Sequence, residues 1–180
     1  MPSVAAYRGR FGPAQAERLL WRAGFGPRRN EAQKLAQLGL ADAVHSLVYP
    51  GREHFVGPQP HDEKGRPLAP YDAWGHDHLW WLDRMIRTSR PLVERMTLVW
   101  HDWFATSNQG VGSQRLMIGQ NNLFRAHGLG SFHELLNRVT EDPAMLVWLN
   151  GSDNSRYSPN ENYGREMMEL FTLGAGRASR

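Results

Sequence analysis

The sequence predicts an all-α fold, a globular bundle of about seven to nine helices with one long proline-rich loop. Apolar residues recur with the helical period of 3.6 along most of the 180 residues. No segment shows the alternation of apolar and polar residues that a half-buried strand requires. Pro13 and Pro91 stand where helices are expected to begin, and Gly24, Gly26 and Gly39 where they are expected to end, which supports the same prediction.

Residues 1–49 are predicted to form an N-terminal helical segment. Pro13 opens the first helix, since proline is favoured in the first helical turn. Asn30 is the expected N-cap of the second helix, with Gln33 placed to complete a capping box. A third helix is expected to run from about residue 40 to residue 49, because its apolar side chains lie on one side.

Residues 50–70 interrupt this pattern, because prolines alternate there with glycine, histidine and charged residues. We expect a loop of about twenty residues, either an extended connection or a functional segment. Residues 71–180 then form the main helical body. We expect this body to make one domain together with residues 1–49.

The main body is predicted to contain six helices. The first two cover residues 72–87 and the segment after Pro91, where Leu92, Met96, Val99, Trp100 and Trp103 form one apolar stripe. The others cover residues 114–126, the segment after the expected N-cap Ser131, the segment capped by Asp142, and residues 159–173 with Ser158 as N-cap.

The composition is that of an ordinary soluble domain, with 41% hydrophobic and 22% charged residues. The formal charge is only +3 and the basic residues are scattered, which disfavours nucleic-acid binding. The absence of cysteine excludes disulfides, thiolate metal sites and a cysteine nucleophile. We see no secretory signal and no apolar run long enough to span a bilayer, so the default expectation is a cytoplasmic protein.

The last predicted helix carries the strongest group of candidate functional residues. Asn162, Glu166 and Glu169 are spaced at i, i+4 and i+7, so they share one face. Two carboxylates three residues apart can hold a divalent metal, or their repulsion can raise one pKa toward a value useful for proton transfer. The structural alternative is a solvated face, or ion pairs with arginines such as Arg165.

His101 is the second candidate, as a base or a metal ligand. It lies on the polar side of its predicted helix, near Glu94 and Thr97. The alternative is an ordinary surface or helix-contact histidine, because no second ligand stands four residues away. His76 and His78 are predicted to meet His101 only through tertiary packing.

Four motifs, in order along the chain, resemble an uncharacterised bacterial family, domain-of-unknown-function family 1800. They are LWRAGFG at residues 20–26, RMTLVWHDWFATS at 95–107, DPAML at 142–146 and PNENYGREMMELFTLG at 159–174. The resemblance implies an all-helical fold but no established reaction, substrate or cofactor. Family members commonly continue beyond the last motif, so the chain looks truncated relative to them, and many have a second histidine where this chain has Trp103.

Two functions are compatible with these observations. The first is an enzyme-like or metal-binding domain in which His101, Glu166 and Glu169 are catalytic residues or metal ligands and Asn162 and Arg165 bind substrate. The second is a non-catalytic interaction or assembly module. The resemblance implies a partner for that module, because members often lie beside genes of family 1501, which is similar to sulfatases and alkaline phosphatases.

Overall fold

A computed structural model describes residues 5–172 and 174 of the chain, apart from the side chains of Ser152 and Asn162. The helices are α1 (Pro13–Ala23), α2 (Glu31–Gln37), α3 (Leu40–Val48), α4 (His76–Arg87), α5 (Pro91–Phe104), α6 (Asn108–Val111), α7 (Gln114–His127), α8 (Phe132–Thr140), α9 (Pro143–Trp148) and α10 (Glu161–Phe171), with a 3-10 turn at Gly151–Asp153. The described residues contain isolated β-bridges but no strand, which confirms the all-α prediction. None of these helices has the length and apolar character needed to cross a membrane.

The ten helices exceed the predicted seven to nine by the short helix α6. Four residues carry too little periodicity for α6 to be recognised in the sequence. The predicted loop is present, since residues 49–75 contain no helix. Helix α4 begins later than predicted, at His76, because Gly75 adopts a φ of 80° that does not continue a helix.

Two apolar clusters form the core, and α5 connects them. The first cluster contains Ala16, Leu20, Ala23, Ala32, Leu35, Ala43 and Leu47 from α1, α2 and α3, and Leu92 at the start of α5 packs against it. The second contains Phe104, Phe124, Leu135, Val139, Met145, Leu149, Met167 and Phe171. Phe104, at the end of α5, stacks on Phe124 with ring centroids 5.6 Å apart. The two ends of one helix therefore anchor both halves of the core.

The first motif, at residues 20–26, is explained by its close contact with the start of α5. A Cβ atom at Gly24 would lie only 2.7 Å from the Cβ of Pro91, so a side chain cannot be accommodated there. Arg95 donates from Nε to the Gly24 carbonyl at 2.9 Å, and its guanidinium lies over the Phe25 ring. The glycine therefore allows α1 to end directly against α5.

The first half of α5 carries buried polar side chains, which differs from the predicted apolar stripe. Glu94 and Thr97 are fully buried, whereas Val99 and Trp103 are 43% and 53% exposed. The predicted apolar stripe is therefore only partly buried. The side of α5 that carries Glu94 and Thr97, which the sequence predicted to face solvent, faces the interior instead. This arrangement is possible because charged partners meet Glu94 and offset the cost of removing it from water.

Glu94 lies between Arg84 of α4 and Arg125 of α7. Arg84 donates from Nε to Oε1 at 3.1 Å, and Arg125 donates from Nη2 to Oε2 at 3.0 Å. Arg84 also pairs with Glu53 at 2.7 Å, and both guanidiniums lie 5.3 Å from the Trp80 ring. We call Glu53, Trp80, Arg84, Glu94 and Arg125 the Glu94 network. It joins α4, α5 and α7 to the proline-rich loop.

The proline-rich loop is anchored where it leaves α3. The backbone N–H of Val56 donates to the Arg87 carbonyl at 2.8 Å, and that of Ser89 donates to the His54 carbonyl at 2.9 Å. The Phe55 ring lies 5.0 Å below the guanidinium of Arg84. These contacts place Glu53 where it can complete the Glu94 network.

Only one of the four predicted side-chain caps forms. Asp142 caps α9 as predicted, its carboxylate accepting a backbone N–H at 3.0 Å. Asn30 has a left-handed backbone with φ of 62° and makes no cap bond, and Ser131 makes none either. Asn160, not Ser158, caps α10, because the Asn160 side chain bonds to both the helix and the preceding loop.

We predict that Glu94→Ala lowers the free energy of unfolding by about 3 to 5 kcal/mol, because it removes the carboxylate shared by two buried guanidiniums. Urea denaturation followed by circular dichroism measures the change. The matched control is Asp72→Ala, which removes an exposed carboxylate 3.7 Å from Arg115 and is expected to cost less than about 1 kcal/mol. Equal effects of the two substitutions would contradict a central role for Glu94.

Candidate functional site

A cleft of about 280 Å³ opens next to the Glu94 network. We call it the His101 cleft. Its wall includes residues from α4, α5, α6 and α7 and from the turn that precedes α6. The lining residues are Asp77, His78, Trp80, Trp81, His101, Thr106, Ser107, Asn108, Met117, Ile118 and Asn121.

His101 is half-buried in this cleft. The edge of its ring meets the Trp81 indole, with centroids 5.1 Å apart and planes at 89°. Burial lowers the pKa of His101 below its ordinary value, the Asp102 carboxylate opposes this shift, and the charge of His78 adds to it. The imidazole is therefore neutral near pH 7 and has a free lone pair to accept a proton.

Asp77 and His78 form a carboxylate–imidazole pair in the same cleft. Asp77 is buried, and its Oδ1 lies 2.9 Å from Nδ1 of His78. The His78 side chain is 71% exposed, so it stands at the mouth of the cleft while Asp77 lies deeper. Tertiary packing thus brings His78 and His101 into the same cleft. Packing between helices is the only way in which the sequence analysis expected these two histidines to meet.

Two residues that line the cleft each carry a buried polar atom with no hydrogen-bond partner among the described residues. These atoms are Nε1 of Trp81, a donor, and Oδ1 of Asn108, an acceptor. Leaving such a group unpaired costs about 1 to 3 kcal/mol. A ligand with one acceptor and one donor would remove both costs.

The end of α5 directs the chain back into the cleft. Ala105 has a left-handed backbone with φ of 49°, which is uncommon for a residue with a Cβ. The chain turns there, and the next three residues, Thr106, Ser107 and Asn108, line the cleft. The motif at residues 95–107 therefore supplies His101, Thr106 and Ser107 to the lining of the cleft.

The Glu94 network supports the inner wall of the cleft. Trp80 belongs to both, with its ring beside the guanidiniums of Arg84 and Arg125. Arg125 also donates to Oδ1 of the buried Asn121, which lines the cleft from α7. The position of these two lining residues thus depends on the burial of Glu94.

The candidate residues Arg165, Glu166 and Glu169 on α10 do not line the His101 cleft. Arg165 lies 3.9 Å from Glu166 through Nη2 and Oε1, Glu169 is exposed, and the side chain of Asn162 lies outside the described part of the chain. No described residue of α10 lines the His101 cleft. His101 makes no hydrogen bond or ion pair with Glu166 or Glu169.

The geometry gives no support to the predicted metal site. Among residues 5–172 and 174, no three histidine, aspartate or glutamate side chains are arranged to hold a metal ion. His101, Glu166 and Glu169 are thus not assembled as a ligand set there, and neither are Asp77, His78 and His101. Catalytic roles for Glu166 and Glu169 stay predictions.

Sequence reasoning missed Asp77, Trp81, Asn108 and Asn121 as site residues. A signal for the first two is present in α4, where Asp77, Trp81 and Arg84 are spaced at i, i+4 and i+7 on one face. Asn108 and Asn121 carry no such signal, because their approach to His101 depends on tertiary packing.

Comparison with known proteins gives one match. The family model described as "Protein of unknown function (DUF1800)" matches residues 18–178 of the chain. Neither the search of curated proteins nor the search of solved structures gives a match. The matched range contains the buried Glu94, the His101 cleft and all four motifs. The chain therefore belongs to the DUF1800 family.

Proposed function

We propose that this chain is an enzyme-like helical domain that binds a small, uncharged polar molecule in the His101 cleft and uses His101 to accept a proton from it. The observation that carries the proposal is that the half-buried His101 lines one cleft with Trp81 and Asn108, whose buried Nε1 and Oδ1 have no partner among the described residues. Perturbed titratable groups and convergent polar atoms in one cleft are typical of binding sites.

The three groups have complementary roles in this proposal. The Trp81 indole donates a hydrogen bond to an acceptor on the ligand, and the Asn108 amide oxygen accepts one from a ligand hydroxyl or N–H group. These two bonds orient the ligand against the imidazole. A neutral imidazole then serves as a general base, since a base must be unprotonated at the working pH.

We predict that NMR titration of the imidazole protons, assigned with a His101→Gln variant, gives His101 a pKa below the ordinary value of about 6.5. Asp102→Asn should lower this pKa further, because it removes an opposing negative charge, and His78→Ala should raise it. A His101 pKa at or above about 6.5 would contradict a neutral base at pH 7.

The same shift makes stability depend on pH. Since the folded state disfavours protonated His101, the unfolded state binds more protons, and the free energy of unfolding falls as the pH drops below about 6.5 toward the folded pKa. The His101→Gln variant should lack this part of the decrease.

We predict that Trp81→Phe and Asn108→Ala each weaken ligand binding in the cleft by about five- to tenfold, the worth of one neutral hydrogen bond. Ligand-observed NMR with a library of uncharged alcohols, amides and heterocycles provides the probes. Trp103→Phe is the matched control, because the indole of Trp103 donates to the Phe171 carbonyl away from the cleft. An absence of binders, or equal losses in all three variants, would contradict the proposal.

A second function, as an interaction module, is favoured by one observation. Leu79, Leu82 and Ile86 form a stripe on α4 that is 50%, 52% and 70% exposed. Such a contiguous apolar stripe is typical of a surface that a partner covers. The partner in this second proposal is the companion protein of family 1501 that the family resemblance implies.

The second proposal predicts that Leu82→Glu with Ile86→Glu abolishes binding to a purified family 1501 protein, because two charges would be buried in the interface. Biolayer interferometry measures the affinity. Leu129→Glu, at another exposed leucine, is the control and should bind like the unaltered chain. Unchanged binding by the double variant, or no binding by the unaltered chain, would contradict this role.

A further inference from the structure

A second hollow, of about 590 Å³, adjoins the His101 cleft at its mouth. We call it the outer groove. It is lined by Trp74, His78, Ser107, Asn108, Gln109, Gly112 and Gln114. Three of these residues, His78, Ser107 and Asn108, also line the His101 cleft. The two hollows are therefore neighbouring parts of one elongated depression.

Trp74 is the most unusual residue of the outer groove, because 90% of its large apolar side chain is exposed. The backbone that carries it is held in place. Gln114 donates from Nε2 to the carbonyl of Pro70 at 3.1 Å and to that of Ala73 at 2.9 Å. The turn that carries Trp74 is therefore anchored, and the indole offers an exposed apolar platform beside the groove.

The remaining lining residues of the outer groove are mostly neutral and polar. Ser107, Asn108 and Gln109 offer a hydroxyl and two amides, which both donate and accept hydrogen bonds. Among the described residues, neither hollow is lined by a lysine or an arginine. A phosphate or carboxylate ligand would find no permanently charged cationic partner among them, whereas a ligand rich in hydroxyl groups would find donors and acceptors.

We propose that the depression binds a neutral oligosaccharide, with one sugar ring stacked on Trp74 and a neighbouring sugar in the His101 cleft. A sugar ring has an apolar face of C–H groups, which suits an exposed indole, and a rim of hydroxyl groups, which suits serine, asparagine and glutamine. Asn108 lines both hollows, and its Oδ1, which has no partner among the described residues, is the acceptor that we assign to a sugar hydroxyl. This inference rests on the proposed function and names the ligand class of that site.

The test measures binding of cellohexaose, chitohexaose, xylohexaose and maltohexaose, and of their monosaccharides, by saturation-transfer NMR and calorimetry. We expect at least one hexasaccharide to bind. Trp74→Ala should weaken that binding by about tenfold or more and leave monosaccharide binding in the cleft within about twofold, because only the longer ligand reaches the platform. Tyr157→Ala removes an equally exposed aromatic ring, 91% exposed, and should change neither affinity.

Two results would overturn the inference. One is that no hexasaccharide binds at millimolar concentration, and the other is that Trp74→Ala leaves hexasaccharide affinity unchanged. If uncharged fragments still bind through Trp81 and Asn108 in either case, the oligosaccharide proposal fails while the proposed function stands. If neither fragments nor saccharides bind, both fail. An extended neutral peptide that binds in place of every saccharide would also overturn the saccharide assignment.

Discussion

The burial of Glu94 in the first turn of α5 is the interaction on which the rest of the structure depends. A carboxylate removed from water must be met by cations and hydrogen-bond donors. Here Arg84 and Arg125 come from two different helices, so satisfying one charge fixes α4 and α7 against α5. The apolar clusters contact the two ends of α5, and the Glu94 network fixes its first turn against α4 and α7.

The burial of Glu94 also fixes the positions of residues that line the His101 cleft. Arg125 holds the Asn121 amide, and the two guanidiniums flank the Trp80 ring, so part of the cleft wall is fixed before any ligand arrives. Ligand groups are recognised more strongly by side chains whose positions are already set. Because α5 turns its polar side toward the interior, apolar side chains such as Val99 are exposed to solvent on its other side.

The features that could be predicted from the sequence are helix starts and caps that neighbouring residues determine. The helices bounded by Pro13 and Pro91 and the Asp142 cap were predictable because each signal lies within a few residues of its effect. The Glu94 network was not, because Arg125 lies 31 residues from Glu94 along the chain and hydrophobic periodicity assigns charged residues to the surface. His101 could be singled out as a candidate, but its partners in the cleft come from other helices.

The most direct test of this account is the orientation of α5, and the absence of cysteine makes it accessible to thiol labelling. Single variants Thr97→Cys and Val99→Cys would be treated with a chromogenic disulfide reagent under native conditions. The account predicts fast labelling at residue 99 and labelling at residue 97 only when denaturant opens the fold, because Thr97 is fully buried and Val99 is 43% exposed. Fast labelling at residue 97 with protection at residue 99 would contradict it, since the apolar stripe would then be the inner side of α5.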